Sequence, residues 1–237
     1  MVVLFVFPHP DDESFGPAPI IARLVREGHA VHLLTLTRGE ATRERERLGL
    51  SKAAMGKARA REMDAVAGVL GLASFTLLGL PDGELAGMDP RDVEAPIREA
   101  ICRTRPDVVV TYAVHGNSGH PDHLAGHAAV KRAFVDARDA GEAPLRRLAL
   151  FTLAPTDDPA RMPHLKSTPW ERIGVLMPAA PEDFEASRRA LACYATYAAV
   201  VAAHDPLRQV ADGVAFELFG EPAAPRRAHV LDALPGA

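Results

Sequence analysis

Cysteine is scarce in this chain of 237 residues: Cys102 and Cys193 are the only two. They are too few and too far apart for a zinc ribbon, a CxxC redox pair or a disulfide framework, and that scarcity fits a reducing, cytoplasmic setting. Long apolar runs are missing as well. No segment approaches the roughly 18 consecutive apolar residues that suggest a membrane span, and Met1 to Phe7 is too short, lacks a basic start and meets Pro8 too soon to read as a signal-peptide core. An excess of positive charge is also absent: 27 basic residues against 31 acidic ones give a formal charge of −4, which argues against nucleic acid as a partner. No internal repeat or low-complexity block interrupts the chain. With 48% apolar and 24% charged residues, it reads as a soluble globular protein, expected as one domain over residues 1–237.

Apolar runs of strand length alternate with segments of helical period, the pattern of βαβ units. The runs are Val2 to Phe7, Val31 to Leu36, Phe75 to Leu78, Asp107 to Thr111 and Leu148 to Leu153. Helices are predicted at about 14–28, 52–71, 90–104 and 122–140, with Gly28 and Gly71 as stops and Pro106 ending the third. The proline-rich stretch 154–172 is predicted to be a surface loop, followed by a strand near Ile173 to Met177, a helix from about Asp183 to Ala203 and a loose tail from Ala223 onward. Right-handed crossovers then give a three-layer α/β/α sandwich with a mostly parallel, Rossmann-like sheet.

What the chain does have is histidine: ten in all, four of them (His115, His120, His123 and His127) within thirteen residues. The first strand leads not into a glycine-rich phosphate loop but into Pro8-His9-Pro10-Asp11-Asp12-Glu13. Three crowded carboxylates repel one another unless a cation or proton sits among them. Taken alone, this cluster reads equally well as an ordinary loop with acidic groups at a helix N-terminus. A second motif, His120-Pro121-Asp122-His123, follows the fourth strand, so two separate strands deliver His-Pro-Asp to the edge of the sheet where α/β folds bind ligands. Imidazole and carboxylate donors suit zinc, and two histidines plus one carboxylate with an open position make a catalytic arrangement.

With these motifs the chain resembles the LmbE/PIG-L family of zinc-dependent N-acetylglucosamine deacetylases. Leu36-Thr-Arg-Gly39-Glu40, Arg59-Ala-Arg-Glu62, Leu80-Pro-Asp82-Gly83 and Val110-Thr-Tyr112 support the likeness, which covers about residues 1–135; a C-terminal strand and helix at about 173–220 complete the domain. The resemblance implies that His9, Asp12 and His123 hold Zn2+ or another divalent metal such as Fe2+. It makes Asp11 the general base on the attacking water, and His120 the stabiliser of the oxyanion or proton donor to the leaving amine, with Asp122 orienting its ring. Sequence alone does not distinguish the two adjacent aspartates. Glu13 is assigned to the surroundings of the site or to the helix start.

Arg59 and Asp82 fall where the family places substrate contacts; the plainer readings are a solvated arginine on an amphipathic helix and a Pro-Asp-Gly turn. Between Arg38 and Glu62, eight basic residues face four acidic ones, so this rim could attract an anionic sugar substrate, although Arg43-Glu-Arg-Glu-Arg47 reads equally as a salt-bridged surface. Ser118 stands where mycothiol-pathway relatives carry tyrosine, and Tyr197 where many relatives have glutamine, so substrate preference is not transferable from one relative. His127 reads as a packing residue, His115 as a rim group, and the cysteines as unreactive thiols. The expected activity is removal of the N-acetyl group from a small N-acetylglucosaminyl compound. A homo-oligomer is compatible with the sequence. The rivals are an amidase acting on a thiol conjugate or other amide, a phosphoesterase using the same metal and water, and a non-catalytic sugar- or metal-binding protein.

Overall fold

A computed structural model describes residues 1–158 and 164–235. The elements run β1 (Val2–Phe7), α1 (Ala18–Arg26), β2 (Ala30–Thr37), α2 (Glu44–Arg47), α3 (Lys52–Leu70), β3 (Ser74–Leu80), α4 (Pro90–Thr104), β4 (Val108–Tyr112), α5 (Pro121–Asp139), β5 (Arg147–Thr152), β6 (Val175–Met177), α6 (Pro181–Ala192), α7 (Ala198–His204) and β7 (Val214–Leu218). They form one sheet in the order β3-β2-β1-β4-β5-β7-β6. Strands β1 to β5 pair in parallel, while β7 lies antiparallel between β5 and β6. The expected three-layer α/β/α sandwich is therefore what the chain builds.

The alternation of side chains along β1 explains the layers. Val3, Phe5 and Phe7 join one buried cluster with residues of α1, α3 and α6, whereas Leu4 and Val6 join a second with residues of α4 and α5. All five are at most 1% exposed, so β1 is buried on both faces, and its unbroken apolar run follows from that position.

Departures from the sequence reading are local. Residues 11–17 form turns, so the first helix begins at Ala18, behind Pro17. Helix 183–203 is two helices: Tyr194 leaves the helical region at φ −82°, ψ 69°, and the Thr196 N–H and hydroxyl donate to Glu62. Strand β7 goes unannounced because its five residues include the acidic Glu217, which is buried and accepts from Thr168. The tail is not loose. Val230 and Leu234 are buried in the larger core cluster, and the Arg147 guanidinium donates to the carbonyls of Val230, Asp232 and Ala233. Part of the predicted 154–172 loop, residues 159–163, lies outside the described residues, as do the last two residues of the tail. Among the described residues no helix is long and apolar enough to cross a membrane.

Candidate metal and hydrolase site

From β1 the sheet grows outward through β2 and β3; the chain then returns to the other side of β1 as β4. This reversal opens a crevice beyond the carboxyl ends of β1 and β4, the usual ligand position in open α/β sheets. His9, Asp11 and Asp12 leave β1 there, His120 to His123 follow β4, and Asp82 follows β3. Helix α3 contributes Arg59. All eight sequence-predicted residues are brought together.

At the centre three donors converge. His9 Nδ1 lies 3.2 Å from His123 Nε2; His123 Nε2 is 3.3 Å from Asp12 Oδ1, and His9 Nδ1 is 3.6 Å from Asp12 Oδ2. Their protonation follows from their other partners. His123 Nδ1 faces the Gly116 carbonyl at 2.9 Å, so it carries the proton and leaves a lone pair on Nε2. His9 Nε2 faces the Asp122 carboxylate at 3.1 Å and the Asp82 carboxylate at 3.3 Å, so the proton sits there and Nδ1 is the lone pair. Two nitrogen lone pairs and a carboxylate thus point at one another, and a cation or a proton between them relieves their repulsion.

The residues fit a divalent ion. Donors about 2.0–2.1 Å from a tetrahedral zinc are separated by about 3.4 Å, close to these three separations, of which the two to Asp12 reach different oxygens of its carboxylate. Without an ion a proton must serve. Burial would lower the His9 pKa, but its hydrogen bond to Asp122 and the charges of Asp12, Asp82 and Asp11 outweigh burial and push it up to about 9. Burial would likewise raise Asp12, yet His123 and His9 hold it well below the usual carboxylate range.

The surroundings keep these groups in place. Tyr112 Oη donates to Asp12 at 2.8 Å, and its ring stacks on His123 at 4.3 Å. Gly116 is in the left-handed region at φ +61°, where a Cβ would lie 2.6 Å from His123 Cβ. Asp122 accepts from the Gly83 and Leu85 N–H groups. Asp11, also left-handed at φ +86°, is held from both ends: its N–H donates to Tyr194 Oη at 2.9 Å, and Arg59 donates to its carboxylate at 2.5 Å. Burial raises the Asp11 pKa although Arg59 opposes it. Glu13, 0% exposed and bonded to Tyr194 and Ser14, is pushed up to about 7 by burial.

Some expected contacts differ. The Asp122 carboxylate reaches His9, not His120; its backbone N–H, donating to His120 Nδ1 at 3.2 Å, is what orients that ring. His120 caps α5, so Nδ1 accepts and Nε2 carries the proton. Burial, reinforced by His9 and His123, lowers its pKa. Arg59 is no solvated surface residue: it is 1% exposed, with Tyr197 stacked 4.1 Å from it. His115 turns away from the rim toward Thr152 and Thr168. His127 packs as expected, bonded to the Tyr112 carbonyl. The pairs Arg47–Glu44 and Arg45–Glu46 bear out the salt-bridged reading of α2.

Sequence reasoning missed Asn117 and the site role of Tyr194. Asn117 is buried in the loop after β4 and lines the same hollow as His123, and its amide oxygen has no partner among the described residues. Tyr194 is 181 residues from Glu13, and only the helix break described above turns it inward.

Comparison with known proteins agrees with this geometry. The GlcNAc-PI de-N-acetylase (PIG-L) family pattern matches residues 4–134. The 1D-myo-inositol 2-acetamido-2-deoxy-alpha-D-glucopyranoside deacetylase of Kineococcus radiotolerans is 36% identical over 166 residues, 59% of this chain and 46% of that protein. The chain spans about half the length of such relatives. Among solved structures, the conserved protein TT1542 of Thermus thermophilus superposes with a TM-score of 0.66 at 23% identity, covering 91% of this chain and 93% of that one. GalB, the 4-carboxy-2-hydroxymuconate hydratase of Pseudomonas putida, matches as well in shape, with a TM-score of 0.66 at 18% identity over 92% and 94% of the two chains. A family pattern over more than half of the chain, with both of its His-Pro-Asp motifs meeting at one crevice, shows that this chain belongs to the PIG-L (GlcNAc-PI de-N-acetylase) family.

Proposed function

We propose that this protein is a metal-dependent hydrolase that cleaves the amide of an N-acylated glucosaminyl compound, N-acetyl being the acyl group in the names of its relatives. The observation that carries the reading is the triangle of His9 Nδ1, Asp12 and His123 Nε2, whose converging lone pairs fit a cation. Two imidazoles and a carboxylate suit zinc, and ferrous iron accepts the same donors. The ion would supply a Lewis acid that polarises the amide carbonyl and acidifies a water.

The chain's own groups then divide the remaining work. Asp11, fixed by Arg59 and Tyr194, accepts the proton of the attacking water. His120 Nε2–H donates to the oxygen that becomes negative, and the proton accepted by Asp11 passes to the departing amine, which restores the Asp11 carboxylate. Asp82 and Asp122 hold the His9 ring. Arg43, Arg59 and Asp82 line a hollow beside His9 whose polar groups match sugar hydroxyls or an anionic aglycone.

The test is amine release from a panel of N-acetylglucosaminides by metal-loaded protein. Asp11→Asn should lower kcat by about 10²–10⁴-fold, and His120→Ala should lower kcat more than it raises KM. His123→Ala should bind metal substoichiometrically by elemental analysis. Full activity of Asp11→Asn would overturn its assignment as the base, and sugar binding without turnover in the wild type would make the protein a binding module.

A further inference from the structure

Two hollows of about 320 Å³ each meet at His9, and their chemistry differs. One is polar, with Thr42, Arg43, Arg59, Asp82 and His120 on its walls. The other opens beside Asp11, Asp12 and His123; its exposed lining is mostly apolar, supplied by Phe15, Phe151, Leu153, Leu165 and Val200, although Asn117, His164, His204 and Gln209 also border it. An amide carbon carries its oxygen, its nitrogen and its acyl carbon in one plane at about 120°. With the carbonyl oxygen at the metal cluster, the nitrogen and the acyl carbon must therefore leave in different directions. A glucosamine ring is edged with hydroxyls, which would lose their water partners against aromatic and aliphatic walls. The sugar belongs in the polar hollow, and the acyl group is left with the apolar one.

An acetyl methyl is a poor occupant of that space, taking about 30 Å³, roughly a water's share. We propose that the apolar hollow is an acyl site for an unbranched aliphatic chain of about four to six carbons, so that longer N-acyl glucosaminides are better substrates than N-acetyl ones. This specificity rests on the hydrolase reading given above. The reaction balances as simple hydrolysis: water adds across the amide C–N bond, releasing a carboxylic acid and the free amine, with no oxidant or co-reactant.

The experiment compares N-acetyl, N-butyryl and N-hexanoyl glucosaminides of one aglycone with metal-loaded protein, alongside N-acetyl glucosaminides bearing methyl, butyl or hexyl aglycones. Burial of a methylene is worth about fourfold in affinity, so butyryl, with two more methylenes, should exceed acetyl about 15-fold in kcat/KM, and hexanoyl should gain further. Val200→Phe, which fills the hollow, should lower the hexanoyl-to-acetyl ratio of kcat/KM at least tenfold. Binding of the same series to metal-loaded Asp11→Asn, measured by calorimetry, should show the same order without turnover. A kcat/KM that falls with every added acyl carbon overturns the acyl site but leaves the hydrolase intact. So does a preference that follows alkyl length on the aglycone alone. If no compound is turned over, the hydrolase reading fails by itself, and the binding series still decides what the hollow accepts.

Discussion

The orientation of the His123 ring is set by neighbours that carry no charge. The Gly116 carbonyl accepts a hydrogen bond from its Nδ1–H and so turns the lone pair of Nε2 toward His9 and Asp12. A partner of this kind fixes both tautomer and ring orientation, and its loss typically costs about 10- to 100-fold in metal affinity. Gly116 performs this at φ +61°, with no room for a methyl group beside His123. Gly116→Ala should therefore destabilise the protein by about 1–3 kcal/mol and weaken metal binding by at least tenfold. Thermal unfolding and a metal titration check the two effects separately; unchanged metal affinity would show that the loop does not set the ring. At the same scale, Asp11 keeps a left-handed backbone only because Tyr194 and Arg59 grip it from opposite ends.

Among the elements, α6 shows how a helix outside the crevice is anchored to the layer it belongs to. Asp183, buried in its first turn, accepts from Ala180 N–H at its own helix start and from Arg26 of α1 at 2.9 and 2.8 Å. Burial alone would raise the Asp183 pKa, but the Arg26 guanidinium and the Ala180 N–H hold it below its ordinary value. A carboxyl with a depressed native pKa stabilises the fold above its unfolded pKa of about 3.9, and this contribution fades as pH falls through that value toward the native one. Asp183→Asn should cost about 1 kcal/mol near neutral pH, and the gap from wild type should begin to narrow below about pH 4 and be lost as pH falls through the depressed native value. Urea unfolding at about pH 7 and in steps from about pH 4 down to about pH 2.5 measures this; a gap of the same size throughout would remove the ionic account.

At the scale of the whole molecule, one buried arginine ties the C-terminal segment to the sheet. Arg147, 1% exposed at the start of β5, pairs with Glu221 at 2.8 Å and holds three carbonyls of residues 230–233. Removing one member of a buried pair leaves the other charge uncompensated, at about 3–5 kcal/mol. Arg147→Ala should lose stability of that order and expose residues beyond 220 to limited proteolysis, with cleavage at the tail preceding cleavage of the core; an uncut tail would mean that Val230 and Leu234 anchor it unaided. The same scale limits what shape can say: a hydratase shares this architecture with a TM-score of 0.66, so chemistry has to be argued from the site.

The sequence by itself determined the parallel half of the sheet, because strands buried on both faces must be apolar throughout and helices between them must carry one apolar face. It also placed the candidate site, since its two His-Pro-Asp motifs follow strands whose carboxyl ends open onto one crevice. Tertiary structure alone decided the rest. The inward turn of Tyr194, the insertion of β7 and the buried tail depend on partners far away in the chain, which no local pattern encodes. The switch of the Asp122 carboxylate from His120 to His9 and the two unlike hollows at His9 likewise exist only once β1, β3, β4 and the C-terminal helices have converged, because each is made of surfaces supplied by several elements at once.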